Sequence, residues 1–203
     1  MKAKLGLLIL GVGMAFTLSC TKYPAETDRL LEDLAVITQY DTKVDFNTYK
    51  TYSITSYIMK VTDKDTIPIT DQTAVAVLAE IDKNMQARGF VKSAAAVKPD
   101  LGIEVFYFEN TTVYTYYYDY WGYYPYGGYY YPYYPVYYAS YTTGLASIQL
   151  MDLKNVDPVK QLIYCRWNAG IRGLLTGTHT TSDITARVDQ AFIQTPQLKT
   201  TPQ

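Results

Sequence analysis

The 203-residue chain is 48% hydrophobic and 18% charged, with a formal net charge of −1, one histidine and two cysteines. This balance offers no basic stripe for nucleic acid, no His/Cys cluster for a metal and too few cysteines for a disulfide scaffold. Its length suits one domain with a real core once a leader is set aside.

The leader comes first in the chain. Lys2 and Lys4 precede an apolar run from Leu5 to Phe16, and Thr17, Leu18 and Ser19 lead into Cys20. A charged start, a short apolar stretch and a small residue at the cut describe a secretory signal. The run falls short of the ~20 apolar residues that span a bilayer. A cysteine directly behind such a run is what lipoprotein processing reads. Residues 1–19 are therefore read as a lipoprotein signal peptide, Cys20 as the lipidation site and residues 20–30 as a polar, lipidated tether. Two or more acyl chains anchor a protein stably where one does so only marginally. The competing reading is an ordinary secretory signal followed by a chance cysteine. Cleavage takes Lys2 and Lys4 from the 18 basic residues and leaves the 19 acidic ones, a net charge near −3. It also leaves Cys165 without an intrachain disulfide partner.

A single α+β domain is expected over residues 31–196, with 197–203 as a C-terminal tail. Leu34, Val36, Thr38 and Tyr40 alternate with Ala35, Ile37 and Gln39, which predicts a first strand. Asp41 to Asn47 reads as a turn. Tyr49 to Ile58 is β-branched and aromatic and predicts a second strand. Asp63, Lys64, Asp65 and Pro68 mark a loop. From about Asp71 to Arg88 the residues Ala74, Leu78, Ile81 and Met85 recur at helical spacing, with Val77 beside them. Thr70 or Asp71 can cap that helix, and Gly89 can take the left-handed position behind it.

Pro99-Asp100 opens a strand with Leu101, Ile103, Val105 and Tyr107 on one face and Gly102, Glu104, Phe106 and Phe108 on the other. A fourth strand is predicted over about Leu145 to Leu153. A fifth follows over about Gln161 to Gly170, with Ile163, Cys165 and Trp167 sharing a face. Asp157-Pro158 turns between them. A second helix is predicted from about Ser182 to Gln194, capped by Ser182 or Asp183 and presenting Ile184, Val188, Ala191 and Phe192. Two helices cannot cover both faces of a parallel sheet. The expected fold is thus a two-layer α+β domain: a mixed or antiparallel sheet of about five strands with both helices on one face.

Between the third and fourth strands lies a Tyr/Gly/Pro-rich hairpin insertion at 114–141. It holds 16 of the chain's 23 tyrosines, Trp121, three prolines and one charge, Asp119. The prolines and glycines rule out a membrane helix. Three readings stand side by side: a surface loop ordered by its own stacking, a binding surface, and contact with the membrane interface. Tyrosine joins a large apolar face to a hydroxyl at little rotamer entropy, which suits recognition. Tyr and Trp also favour the headgroup level of a bilayer. Tyr118, Trp121, Tyr124, Tyr130 and Tyr134 are the candidate contacts for an envelope protein or glycan.

Catalytic constellations are not apparent. His179 sits in a Thr178-His179-Thr180-Thr181 loop with no partner ligands nearby in sequence, so neither a metal nor a cofactor is expected. Cys165 reads as a buried, inert thiol. No nucleophile elbow, phosphate loop or dinucleotide fingerprint occurs. Asp33, Asp45, Asp100, Glu104 and Asp152 are scattered carboxylates, of which Asp45 and Asp100 read as turn caps.

Four segments in order resemble the domain-of-unknown-function 4136 family of bacterial envelope lipoproteins. Asp45-Phe46 with Tyr49-Lys50-Thr51-Tyr52 resembles its DFxxYKTY opening. Ala87-Arg88-Gly89-Phe90 resembles the close of its helix. Lys98-Pro99-Asp100-Leu101 resembles the start of its central strand, and Gly144 to Asp152 with Tyr164 to Trp167 resembles its late strand pair. The resemblance implies an α+β fold and an outer-membrane envelope lipoprotein of a Gram-negative bacterium, and it supplies no catalytic residues. No acidic run follows Cys20, so a periplasmic orientation is expected. The expected function is a non-enzymatic binding or adaptor module that meets membrane lipid through Cys20 and a partner through the aromatic loop. The alternative is a glycan-acting hydrolase with a carboxylate pair in an aromatic groove.

Overall fold

A computed structural model describes residues 35–62, 65–93, 97–109, 144–157, 159, 162–174 and 179–201. Among these, eight strands form one mixed sheet: β1 (Val36–Tyr40), β2 (Thr51–Ile54), β3 (Ile58–Val61), β4 (Thr66–Ile69), β5 (Val91–Lys92), β6 (Leu101–Phe108), β7 (Leu145–Asp157) and β8 (Leu162–Arg172). Two helices join them, α1 (Gln72–Ala87) and α2 (Thr181–Ile193). The main strand order is β1-β8-β7-β6-β2-β5, and β3 and β4 extend the sheet beyond the far half of β6. The α+β class matches the sequence expectation, but the strand count exceeds it.

The extra strands have physical causes. The expected strand from Tyr49 to Ile58 is split. β2 runs parallel to the first half of β6 and β3 parallel to its second half, and residues 55–57 step between them. The Thr55 hydroxyl donates to the Tyr57 carbonyl at 2.9 Å across that step. β4 contains Pro68 and was expected as loop. It pairs only with β3, so the missing N–H falls on the last strand at that edge, where proline is tolerated. β5 has two residues, too short to show any period.

The helices start and stop where their caps dictate. Asp71 accepts from the Ala74 amide at 2.8 Å and begins α1. At the other end Gly89 takes φ 87°. Its amide bonds the Gln86 carbonyl and that of Phe90 bonds Met85, which satisfies two carbonyls of the last turn. The cap of α2 is Thr180, ahead of the residues expected. It forms a reciprocal capping box with Asp183, each side chain bonding the other's backbone amide.

One core forms between the helices and one sheet face. Ala74, Val77, Leu78, Ile81 and Met85 of α1 and Ile184, Val188, Ala191 and Phe192 of α2 pack on Leu101, Ile103, Val105, Ile148, Leu150, Trp167 and Ile171. Both helices therefore lie on the same face. Trp167 sits 5.0 Å from the Phe192 ring and donates to Thr195 at 2.9 Å. Packing continues past the expected domain end at 196, since Leu198 is buried and Thr200 donates its amide to the Arg88 carbonyl.

One alternation read from the sequence is wrong. Leu150 pairs with Trp167 but Met151 pairs with Cys165, so Arg166 is an extra residue in β8. This bulge shifts the side-chain parity. Ile163 and Cys165 turn to the helix-free face with Met151 and Leu153, while Trp167 enters the main core.

Candidate functional site

The segments that carry the family resemblance fold inward. Asp45 starts a 3-10 turn (Phe46–Thr48) by accepting from the Asn47 amide at 3.0 Å. Phe46 and Tyr49 are buried behind it. The Tyr49 hydroxyl donates to Asp152 at 2.7 Å. Asp152 is fully buried, and its second oxygen accepts from the Asn155 amide at 2.8 Å. Arg166, the bulged residue, donates Nε to Asp152 at 2.9 Å and Nη1 to Asp41 at 2.8 Å. Burial, then the hydrogen bond to Asp152, pushes the Tyr49 hydroxyl up to about 12. The Lys50 ammonium reaches Thr200 at 2.9 Å, and Tyr52 donates to Asp82 at 2.7 Å. Burial and then Asp82 raise the Tyr52 pKa as well. Asp100 accepts the Lys50 amide at 2.6 Å, while its own amide donates to Thr51. Asp45 thus serves as the turn cap that the sequence suggests, whereas Asp100, also expected as a turn cap, instead clamps the start of β2 to β6 through the Lys50 and Thr51 amides.

The helix-free face has a different character. Glu104, Ser147, Gln149 and Asn168 are all buried and lie side by side across β6, β7 and β8. Asn168 donates to the Ser147 hydroxyl at 2.9 Å. Next to this band, Phe106 and Phe108 stack with centroids 6.3 Å apart. Thr55, Tyr57, Met59, Glu104, Val105 and Phe106 line a shallow depression where β2 gives way to β3, with a volume of about 10 Å³. Burial and the Glu104 charge raise the Tyr57 pKa.

Beyond Phe108 lies the end of the sheet that holds the aromatic insertion. Phe108 is opposite Leu145, and the Gly144 amide donates to the Phe108 carbonyl at 3.2 Å. Gly144 adopts φ 93°, a conformation that favours glycine. The insertion therefore leaves and rejoins the body at adjacent points. A Lys60–Glu109 ion pair stands beside this base. The same row continues in both directions: Val61 lies beside Phe108, Arg172 is opposite Leu145, and the Arg172 amide bonds the Ala35 carbonyl at 3.0 Å.

Cys20, Tyr118, Trp121, Tyr124, Tyr130 and Tyr134, the residues singled out for lipidation and partner contact, lie outside the described residues, as do 1–34 and 110–143. Cys165 donates to the Trp167 carbonyl at 3.2 Å, and burial raises its thiol to about 11. His179 is half-buried just ahead of α2. Among the described residues no three His, Cys, Asp or Glu side chains form a metal-holding group, and no helix is long and apolar enough to cross a membrane. The Asp152–Arg166 pair escaped the sequence reading because it depends on the bulge. The buried band depends on neighbours across three strands, which no local pattern reveals.

The family model described as "Domain of unknown function (DUF4136)" matches residues 36–197, and the chain belongs to that family. It is similar in structure to a DUF4136 family protein from Bacteroides thetaiotaomicron VPI-5482. The two share 28% identity at a TM-score of 0.67, over 82% of this chain and 98% of that one. A PDZ domain protein from Parabacteroides distasonis gives 18% identity and a TM-score of 0.45, over 80% of this chain and 35% of that one. A PelC dodecamer from Paraburkholderia phytofirmans gives 11% and 0.39, over 82% and 97%. No curated protein matches the sequence.

Proposed function

We propose that this DUF4136 member is a lipid-anchored envelope protein with a non-enzymatic body and an aromatic insertion as its binding surface. The observation that carries the reading is the closure at Phe108 and Gly144. A segment joined at one paired point can be held out by the sheet without being part of it. Loops placed on a rigid scaffold are where binding residues concentrate. The body's carboxylates point to a structural role: Asp45 and Asp100 hold backbone amides, and Asp152 is tied to Arg166. A glycan hydrolase needs two carboxyl groups about 5–9.5 Å apart facing one cleft. The depression beside Glu104 offers only about 10 Å³ of room for water-sized groups, far below the ~300–1,000 Å³ of usual ligand pockets.

Two measurements test this. Metabolic labelling with a fatty-acid probe should mark the wild type and not Cys20→Ala; equal labelling would refute the anchor. Crosslinking through the insertion tyrosines should capture adducts that disappear when residues 116–138 are replaced by a short Gly/Ser turn. Adducts that survive the replacement would move the binding surface onto the body.

A further inference from the structure

The described sheet has free sides at β1, β4 and β5, and they are not alike. β5 is two residues long and includes Lys92, whose ammonium pairs with Asp82. β4 carries Pro68. Short length, charge and proline are the usual devices that keep an edge from pairing with another chain. β1 has none of them: its five residues, VITQY, include no charge and no proline. It pairs with β8 alone among the described strands. The Arg172 amide bonds the Ala35 carbonyl and the Asp41 amide bonds the Arg166 carbonyl, so residues 35, 37, 39 and 41 turn their backbone groups toward β8. By antiparallel alternation the N–H and C=O groups of Val36, Thr38 and Tyr40 point away from the sheet. The Gln194 side chain reaches the Val36 carbonyl at 3.4 Å, and no described strand pairs with the rest. Ile37 is 48% exposed and Tyr40 36%.

We infer that this edge docks a second copy of the chain, whose β1 pairs antiparallel with it across a two-fold axis at Thr38. The strand is complementary to itself in that register. Thr38 exchanges both backbone bonds with the partner's Thr38, Val36 with the partner's Tyr40, and Tyr40 with the partner's Val36. Every outward backbone group of the three residues is then paired. The side-chain neighbours, Thr beside Thr and Val beside Tyr, are favourable cross-strand pairs. Charge agrees with the same register. Arg172, beside Ala35, is half-buried and has no ion pair or side-chain hydrogen bond among the described residues. The partner's Asp41 falls on the far side of Ala35, on the same face and about 10 Å from Arg172 between Cα atoms. An arginine and an aspartate side chain together span that gap. Two-fold symmetry makes the contact twice. Five paired residues bury less than a standard interface, so the dimer is weak and reversible.

The test uses the full chain in detergent solution with Cys20→Ala and Cys165→Ala, so that introduced cysteines are the only thiols. Sedimentation velocity at about 100 μM should show a reversible dimer. Thr38→Pro removes an outward N–H and leaves every bond to β8 in place. It should weaken the dimer about 30-fold, because symmetry deletes two hydrogen bonds. Thr38→Lys sets like charges face to face at the axis and should weaken it too; it reads the edge if the proline variant loses its fold. Arg172→Ala should weaken it severalfold. Under mild oxidation Thr38→Cys should crosslink to itself, its Cα atoms lying about 5.5 Å apart. Ile37→Cys and Gln39→Cys, about 4.5 Å apart, should crosslink when mixed and not singly. A chain that stays monomeric overturns the inference. So does a dimer indifferent to both Thr38 variants, or Ile37→Cys crosslinking to itself as readily as Thr38→Cys.

Discussion

Replacing Asp152 with alanine should destabilise the protein more than any other single carboxylate change in the body. Asp152 is 0% exposed. It accepts from Tyr49 at 2.7 Å, from Arg166 Nε at 2.9 Å and from the Asn155 amide at 2.8 Å. Removing one partner of a buried ion pair typically costs about 3–5 kcal/mol, because the other charge stays buried without compensation. Arg166 retains Asp41 on its Nη1, which places the expected loss near the low end of that range. A loss of about 3 kcal/mol is a large share of the ~5–15 kcal/mol that holds a domain together. At roughly 2–4 °C per kcal/mol for a domain of this size, the midpoint should fall by about 10 °C. Tyr49→Phe removes the hydrogen bond to the Asp152 carboxylate and a long one from Asn155 Nδ2 at 3.4 Å, and should cost about 1.5–3 kcal/mol. The double variant should cost less than the two losses added together, since each single change already breaks the shared bond. Urea unfolding followed by circular dichroism reads all three. An Asp152→Ala loss below about 1 kcal/mol with an unchanged slope would refute the network's role.

Other outcomes follow from the same geometry. Tyr49 holds its proton to about 12 when folded, against 10.0 for an unperturbed tyrosine. The folded state therefore binds more protons between those values, and stability should fall as pH rises from about 10 to 12. Tyr49→Phe should flatten that fall in an alkaline titration, and an identical profile would count against the assignment. Phe192→Ala should cost about 3–5 kcal/mol, because it empties the space beside Trp167 and under Arg88, and thermal unfolding will read it. Asp71→Ala should cost about 1 kcal/mol through loss of the α1 cap, measurable as a small shift in melting temperature. Replacing 116–138 by a short turn should change stability by about 1 kcal/mol or less, since halving a flexible loop alters closure by only about 0.6 kcal/mol.

The sequence disclosed what is local. The 3.6 period of α1, the Asp71 and Gly89 caps and the alternation of β6 are all readable because each depends on residues a few positions apart. What stayed hidden depends on partners far along the chain. Pro68 argues against a strand until β4 is known to pair only with β3. Arg166 looks like one more alternating residue until Met151 pairs with Cys165 and skips it. The helix-free band of Glu104, Ser147, Gln149 and Asn168 reads as the solvent side of three separate strands. Its burial appears only once those strands lie together. Of the candidate site, the composition of the insertion was legible and its shared end with the chain's arrival at Ala35 was not, because strand order across four strands decides it.

The family signature and the insertion divide the work. Asp45, Tyr49, Lys50, Thr51, Tyr52 and Asp100 all bond within the body. They fix the start of β2 against β6, β7 and the residues after α2, where Thr200 and Leu198 are buried. A signature spent on internal hydrogen bonds identifies the fold and leaves the chemistry of the protein unstated, which is how a family can be recognised by sequence without an activity. The insertion sits at the far end of the β6–β7 pair from those bonds, beyond eight paired positions from Leu101 to Phe108. Changes in the insertion are therefore separated from the signature by the most continuous stretch of central sheet. On the binding reading proposed above, substitutions between residues 110 and 143 would alter recognition without refolding the body.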